Sequence, residues 1–487
     1  MTTAAVHARL RVTDPARWRA LALSWRRWAA LAGRLAAEFG TRVAAVGGVW
    51  RGAASMAAAH RLGELRRRLT LFRLHCWLAD QAASEFAAAL ARARALLGQD
   101  RAAALALAAR ADAEATDRLI RLAEAMQTPA QPPPAAGRPD CTTPPADVRR
   151  WWSALAAGER NWLLATEAVW LSGLDGLPAA DRDIANRLLL DDRRAELDRA
   201  IAAATGRDRD RLREVRDGLA TLSDRLTDEN GPRAYLLSLD IGEEGRAVVA
   251  LGDPGRATNV LTHVPGMTAD LASFGGELAR AERVAERAAE LSPRSSTSAV
   301  LWLDYDAPDF VGEAASARRA EAAAPALRQF QEGLRAGHEG PPARQVVLGH
   351  SYGSLVVGRA AAAGGFAADG VVFVGSPGVG AGSARELRMP DGEVWSTTAR
   401  SDVVQYAAVA PGGLVRDLVV AGGAPVTGPW LAFGRPERDL WFGTNPSDPG
   451  FGARVFASDP ASGHVGYWER GTPSLDTMAA ITLGTAR

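Results

Sequence analysis

The sequence predicts an α/β fold: a mostly parallel, doubly wound sheet preceded by an all-α helical domain. Three observations carry this. The first 127 residues repeat apolar side chains at spacings of three and four, as packed helices do. From Ala234 the period changes to short β-branched runs that alternate with Ala-rich stretches, the pattern of a parallel sheet covered by helices. One run, Gln345 to Leu348, leads through Gly349-His350-Ser351-Tyr352-Gly353 directly into an Ala-rich helix former.

The whole chain sets the bounds. Its 487 residues suffice for two or three domains and a large core. All 57 basic residues are Arg, and the net charge is +1. The charge is divided unevenly: residues 1–127 hold 20 Arg against 10 Asp and Glu. A basic front and an acidic back attract each other. No nucleic-acid recognition motif accompanies the basic front, so no nucleic acid is expected as partner. Cys76 and Cys141 are the only cysteines, which gives no disulfide framework. No metal-ligand spacing occurs, so neither metal nor cofactor is expected. Arg9 and Arg11 are followed by no apolar core, so no secretory signal peptide is read. The uncharged run from Leu418 to Gly434 is broken by Gly and Pro and is not read as a membrane span.

In order, Thr13-Asp14-Pro15 is a helix start, with a cap residue ahead of Pro at the first helical position. A heptad seam runs through Trp18, Leu21, Trp25, Trp28, Ala32, Leu35 and Phe39 and stops at Gly40. A second runs from Leu62 through Leu69, Cys76 and Ala83 to Leu90. Together they imply an antiparallel hairpin. Leu23, Leu31, Leu71, Leu74 and Trp77 lie off the seams and need cover from a later helix, a second copy or a partner hairpin. Residues 128–146 form a Pro-rich linker, which implies that the front moves independently. Residues 147–230 read as a helical segment packing on the sheet, with Trp151, Trp152, Trp162 and Trp170 as core. Residues 231–487 form the α/β domain. Its strands are expected near Tyr235–Leu239, Ala247–Leu251, Asn259–Val264, Ala299–Leu303, Gln345–Leu348, Gly370–Val374, Val394–Thr398 and Arg454–Ala457, the first two as a hairpin.

The turn at Ser351 resembles the nucleophile elbow of an α/β-hydrolase. Gly349 and Gly353 supply the lack of bulk that so sharp a turn needs, and the Ser351 hydroxyl projects above the sheet. A serine needs an adjacent base that a carboxylate orients. In this fold the chain order is Ser, acid, His. Of seven histidines, His7, His60, His75, His263, His338 and His350 precede Ser351; only His464 follows it. Elimination therefore makes His464 the base. Asp402 is the preferred acid because it follows a strand, whereas Asp439, Asp448 and Asp459 lie in Gly/Pro-rich loops. The oxyanion donors are expected to be the Met267 and Tyr352 backbone N–H groups, with Gly266 allowing close approach.

Two resemblances follow from quoted stretches. Residues from about Asp147 onward resemble the actinobacterial α/β-hydrolase family catalogued as "domain of unknown function 1023". The shared stretches include Trp151-Trp152, Leu174-Asp175-Gly176-Leu177-Pro178, His263-Val264-Pro265-Gly266-Met267, Tyr305-Asp306-Ala307-Pro308, Gly349-His350-Ser351-Tyr352-Gly353-Ser354 and Gly463-His464. The resemblance implies a Ser-dependent hydrolase of unestablished substrate, with Ser351, Asp402 and His464 as its triad. Trp50-Arg51-Gly52 between two helices resembles the WXG-type hairpins associated with type VII secretion. That implies self-association or a partner hairpin, and a location either cytoplasmic or exported by a type VII-like route. The Tyr of such an export signal is not evident; Cys76 stands where it would fit. The expected activity is a serine esterase or lipase acting on a small-molecule ester or lipid. A peptidase or thioesterase would use the same parts, and an interaction protein with a scaffold hydrolase half is the alternative from another class.

Overall fold

The computed structural model describes residues 10, 12–134, 137–228, 231–406 and 438–487. The run Leu418–Gly434 and His7 lie outside the described residues. Among those described, no helix is long and apolar enough to cross a membrane.

Three long helices form the front: α1 (Pro15–Val49), α2 (Ala53–Leu96) and α3 (Arg101–Gln127). α1 starts as the sequence predicts, with the Asp14 carboxylate accepting from Ala16 N at 3.0 Å. It does not stop at Gly40, as the seam suggested. A helical glycine costs only about 1 kcal/mol against alanine and does not end a helix by itself. The chain breaks instead at Trp50-Arg51-Gly52, where Gly52 takes φ 111°, open to glycine and costly for other residues. α3 is capped by Asp100, whose side chain accepts from Ala103 N.

Five helices follow: α4 (Pro145–Ala154), α5 (Ala157–Thr166), α6 (Ala168–Ser172), α7 (Ala179–Ala203) and α8 (Gly206–Thr227). They cover the off-seam residues of α2. Leu74 and Trp77 are buried in one cluster with Trp152, Leu163, Leu171 and Ile184. The Arg187 guanidinium lies 4.7 Å over the Trp77 ring. The expectation of a freely moving front is therefore corrected: later helices of the same chain provide the cover. Buried charge locks the contact. The Asp80 carboxylate, fully buried, accepts from Arg26 Nε and Arg233 Nε, each at 2.8 Å. Arg233 also pairs with Asp183 at 2.8 Å, and Asp183 with Arg187 at 2.7 Å.

The strands are β1 (Ala234–Asp240), β2 (Arg246–Leu251), β3 (Asn259–Val264), β4 (Thr297–Leu303), β5 (Arg344–His350), β6 (Gly370–Val374), β7 (Val394–Thr397), β8 (Asp439–Leu440), β9 (Gly443–Thr444) and β10 (Arg454–Val455). Eight of them form one sheet in the order β1-β2-β4-β3-β5-β6-β7-β10. β1 and β2 are the expected hairpin, and β2 meets β4 antiparallel; the rest pair in parallel. The β8–β9 pair was not foreseen: two residues per strand show no alternation to read.

Both faces of the sheet are covered. α9 (Phe274–Leu291) lies on one, with Val346, Leu348, Val372 and Val374 turned toward it and toward α13 (Pro473–Leu483). Val347, Val371 and Phe373 face the other way. They join a core with residues of α11 (Arg318–Gly337) and α12 (Gly353–Ala362). The short α10 (Val311–Ala314) precedes α11. Alternate side chains of one strand thus enter opposite layers, as the pleat requires. Their carboxyl ends meet at one edge, where the loops carrying Gly266, Ser351, Gly375 and Asp402 begin.

Candidate active site

β5 ends at His350, and α12 begins at Gly353. The two residues between make the turn. Ser351 takes φ 53°, the left-handed region that costs a non-glycine residue about 1–2 kcal/mol. Two hydrogen bonds hold it there: Ser351 N donates to Val374 O, and Ser354 N donates to Ser351 O, both at 3.0 Å. The elbow glycines have no room for a side chain. A Cβ at Gly349 would lie 2.6 Å from Ser354 Cα, and one at Gly353 would lie 2.3 Å from Val264 O. The loop after β3 comes equally close to the serine: a Cβ at Gly266 would sit 2.6 Å from Ser351 Cβ.

That loop is fixed from behind. The buried Tyr305 hydroxyl donates to Pro265 O at 2.6 Å, and Thr268 N donates to Pro308 O at 2.8 Å. The Tyr352 hydroxyl donates to Ser316 O at 2.7 Å and accepts from Ala320 N at 3.2 Å. Among the described residues, neither the Met267 nor the Tyr352 backbone N–H donates to any acceptor. Tyr352 follows the serine at the N-terminal end of α12, and Met267 follows Gly266, which approaches the serine from the β3 loop. Unsatisfied amides of this kind suit an anionic oxygen.

His464 comes from the loop after β10. Its Nδ1 lies 2.9 Å and 3.0 Å from the two oxygens of Asp402. The Asp402 carboxylate is fully buried, whereas the His464 side chain is one-third exposed. Asp402 receives further bonds from Val404 N at 3.0 Å and from the Tyr467 hydroxyl at 2.6 Å. Tyr467 Oη in turn accepts from Ala399 N at 2.8 Å. Burial and the Asp402 carboxylate push the Tyr467 phenol up, so it stays a donor. Gly463 N donates to Ser401 Oγ at 2.8 Å, joining the two loops again.

The structure thus brings His464 onto Asp402 and not onto the other three acids. Asp448 caps a single 3₁₀ turn by accepting from Gly450 N, and Asp459 accepts from Ala461 N. Asp439 lies exposed in β8. His263 is buried, with Nε2 3.0 Å from Glu277 in α9, so it serves the layer beneath the loop. Sequence reasoning missed Tyr467 and His350. Tyr467 stands three residues after His464, but its bond to Asp402 spans 65 positions. His350 puts Nε2 2.9 Å from the His464 carbonyl oxygen, a contact that no spacing rule reveals. Among the described residues, no cluster of three or more His, Cys, Asp or Glu could hold a metal ion. The arrangement has the parts for acyl transfer: a strained serine, an imidazole oriented by a buried carboxylate, and two free amides.

A family model described as alpha/beta hydrolase matches residues 240–411. The uncharacterized protein Rv2079 of Mycobacterium tuberculosis (strain ATCC 25618 / H37Rv) is 29% identical over 403 residues, covering 72% of this chain and 56% of its own length. The uncharacterized protein Mb0988c of Mycobacterium bovis is 30% identical over 203 residues, covering 40% of this chain and 73% of its own length. The chain therefore spans little more than half of the first of these relatives. A solved structure described as that of FAE aligns at 11% identity and a TM-score of 0.29, over 52% of this chain and 87% of that one.

Proposed function

We propose that this chain, which belongs to the alpha/beta hydrolase family, is a serine hydrolase that cleaves carboxylic esters of a small molecule or lipid. Ser351 Oγ attacks the ester carbonyl carbon while its proton passes to His464 Nε2. The Met267 and Tyr352 N–H groups hold the oxyanion that forms. His464 then returns the proton to the departing alkoxide, leaving an acyl-serine. Water, deprotonated by the same imidazole, releases the acid and restores Ser351. Asp402 keeps the Nδ1 hydrogen in place throughout. A peptidase or thioesterase would run the same steps, because the triad sets acyl transfer and not the leaving group.

One observation carries the reading. The Nδ1 edge of His464 is taken by the buried Asp402 carboxylate, which leaves Nε2 as the working nitrogen. The resemblance of residues from about Asp147 onward to the domain of unknown function 1023 supports the same assignment. The test is labelling by a fluorophosphonate probe together with hydrolysis of p-nitrophenyl butyrate. Wild type is expected to label and turn over, Ser351→Ala to do neither. Labelling of Ser351→Ala at the wild-type rate sinks the proposal.

A second reading, an interaction role for the front, has its own observation. Trp28 and Leu35 of α1 and Leu65 and Phe72 of α2 stay 38–53% exposed and are apolar surface that a partner helix could cover. The resemblance of Trp50-Arg51-Gly52 to WXG-type hairpins fits self-association or a partner hairpin there. Sedimentation of the full chain tests the first: a monomer at all concentrations, unaltered by Trp28→Ala, rules out self-association.

A further inference from the structure

We propose that His350, the residue before Ser351, is a positioning residue that holds His464 at its working distance through a hydrogen bond from His350 Nε2–H to the His464 carbonyl. The proposal rests on the reading of Ser351 and His464 given above. The His350 Nε2 lies 2.9 Å from that oxygen. A carbonyl oxygen only accepts, so the hydrogen must be on Nε2. The other ring nitrogen, Nδ1, is buried with no partner among the described residues, so a proton there would be left unsatisfied. Burial, with His464 and Arg280 nearby, holds the His350 imidazole well below its ordinary range and so uncharged. An uncharged neighbour does not oppose the imidazolium that His464 must become.

Geometry gives the bond its purpose. His464 lies on a loop between β10 and a single 3₁₀ turn at Gly466–Trp468, with no ladder to fix it. Asp402 holds the ring at Nδ1 and Ser401 holds Gly463; both act from the β7 side. The His350 bond ties the His464 backbone to β5 itself, one residue from the nucleophile. The bond therefore limits how far the His464 backbone can move from the end of β5. The ring is also seated on both sides: 4.8 Å from the His464 ring, tilted 34°, and 4.9 Å from Trp468 in an edge-to-face contact. Trp468 rests on His263 at 5.6 Å. The buried layer of His263, Trp468 and His350 thus supports the loop from below.

The experiment compares His350→Gln with His350→Phe in the full chain. A Gln Nε2 reaches the place of the imidazole Nε2 and can donate; Phe fills the space without a donor. With p-nitrophenyl butyrate, His350→Phe is expected to lose about 10–100-fold in kcat with KM within about threefold, as misplacement by about 1 Å does. His350→Gln is expected to recover to within about threefold of wild type. The fluorophosphonate labelling rate should follow kcat. If His350→Phe does not fold, His350→Met, equally without a donor, takes its place. The proposal is overturned if the donor-free variant matches wild type, if Gln fails to recover in a folded protein, or if the loss falls on KM alone. Full activity of Ser351→Ala in the same assay would instead sink the underlying reading.

Discussion

Replacing Asp402 by Asn keeps the shape and removes one acceptor. Asp402 Oδ1 serves His464 Nδ1 at 2.9 Å and Val404 N at 3.0 Å; Oδ2 serves His464 Nδ1 at 3.0 Å and the Tyr467 hydroxyl at 2.6 Å. Asn has one acceptor oxygen and one NH2. If the NH2 takes the Oδ1 place, it faces Val404 N–H, donor against donor. If it takes the Oδ2 place, it faces a phenol that already accepts from Ala399 N, and the phenol hydrogen loses its acceptor. Either way a buried donor goes unsatisfied, at about 1–3 kcal/mol of stability. Either way His464 Nδ1 also meets an amide N–H, which favours the tautomer protonated at Nε2. That tautomer cannot take the Ser351 proton. The same substitution in the serine-protease template costs about 10⁴ in turnover, or about 5.4 kcal/mol. The assay is kcat on p-nitrophenyl butyrate, with urea unfolding to confirm the fold. A kcat within tenfold of wild type, with Asp439→Asn, Asp448→Asn or Asp459→Asn inactive instead, refutes the assignment.

Further outcomes are expected. Ser351→Ala and His464→Ala should each lose several orders of magnitude in kcat, and the double variant should be barely worse than either; additive losses would contradict a shared role. Gly375→Ala puts a Cβ 2.6 Å from Asp402 Oδ2 and 3.2 Å from His464 Nδ1 at φ +54°, so about a 100-fold loss in kcat is expected, and a variant of wild-type activity refutes the geometry. Asp80→Ala removes the carboxylate that Arg26 and Arg233 share, leaving Arg233 to Asp183 and Arg26 to the Asp228 carbonyl and Ser84, and urea unfolding should show a loss of about 3 kcal/mol; no loss would mean the network does not bind front to sheet. Burial and then Asp309 push Glu244 up to about 7. A carboxyl raised above its unfolded value of 4.5 stabilises the fold at low pH, and that contribution fades as pH climbs through about 7. Glu244→Gln should therefore flatten the fall of Tm across this window; an unchanged slope counts against it.

Much of this was legible in the chain. Each expected strand exists, because β-branched runs between Gly and Pro are local signals. The turn at Ser351 and the contact of His464 with Asp402 could be foreseen, because the elbow is a contiguous motif, chain order leaves one histidine and Asp402 follows a strand. The unreadable features are those made by contacts across long separations. Tyr467 on Asp402, Glu85 on Tyr235 at 2.8 Å, and Arg118 on Asp253 at 2.9 Å leave no local pattern. The end of α1 was misplaced for the converse reason. Gly40 is a local signal that the helix overrides, while Gly52 marks the true break through its φ.

The Asp80–Arg233 pair sets a timetable. The partners are 153 positions apart. Ribosomes add about 5–20 residues per second, so Asp80 waits roughly 8–30 s for its second guanidinium. Through that interval α1 and α2 have neither Arg233 nor the completed sheet to close against. The helices made first are thus completed late. A protease pulse on ribosome-bound chains stalled before residue 233 would cut within the front, and the same pulse on released chains would find those sites closed.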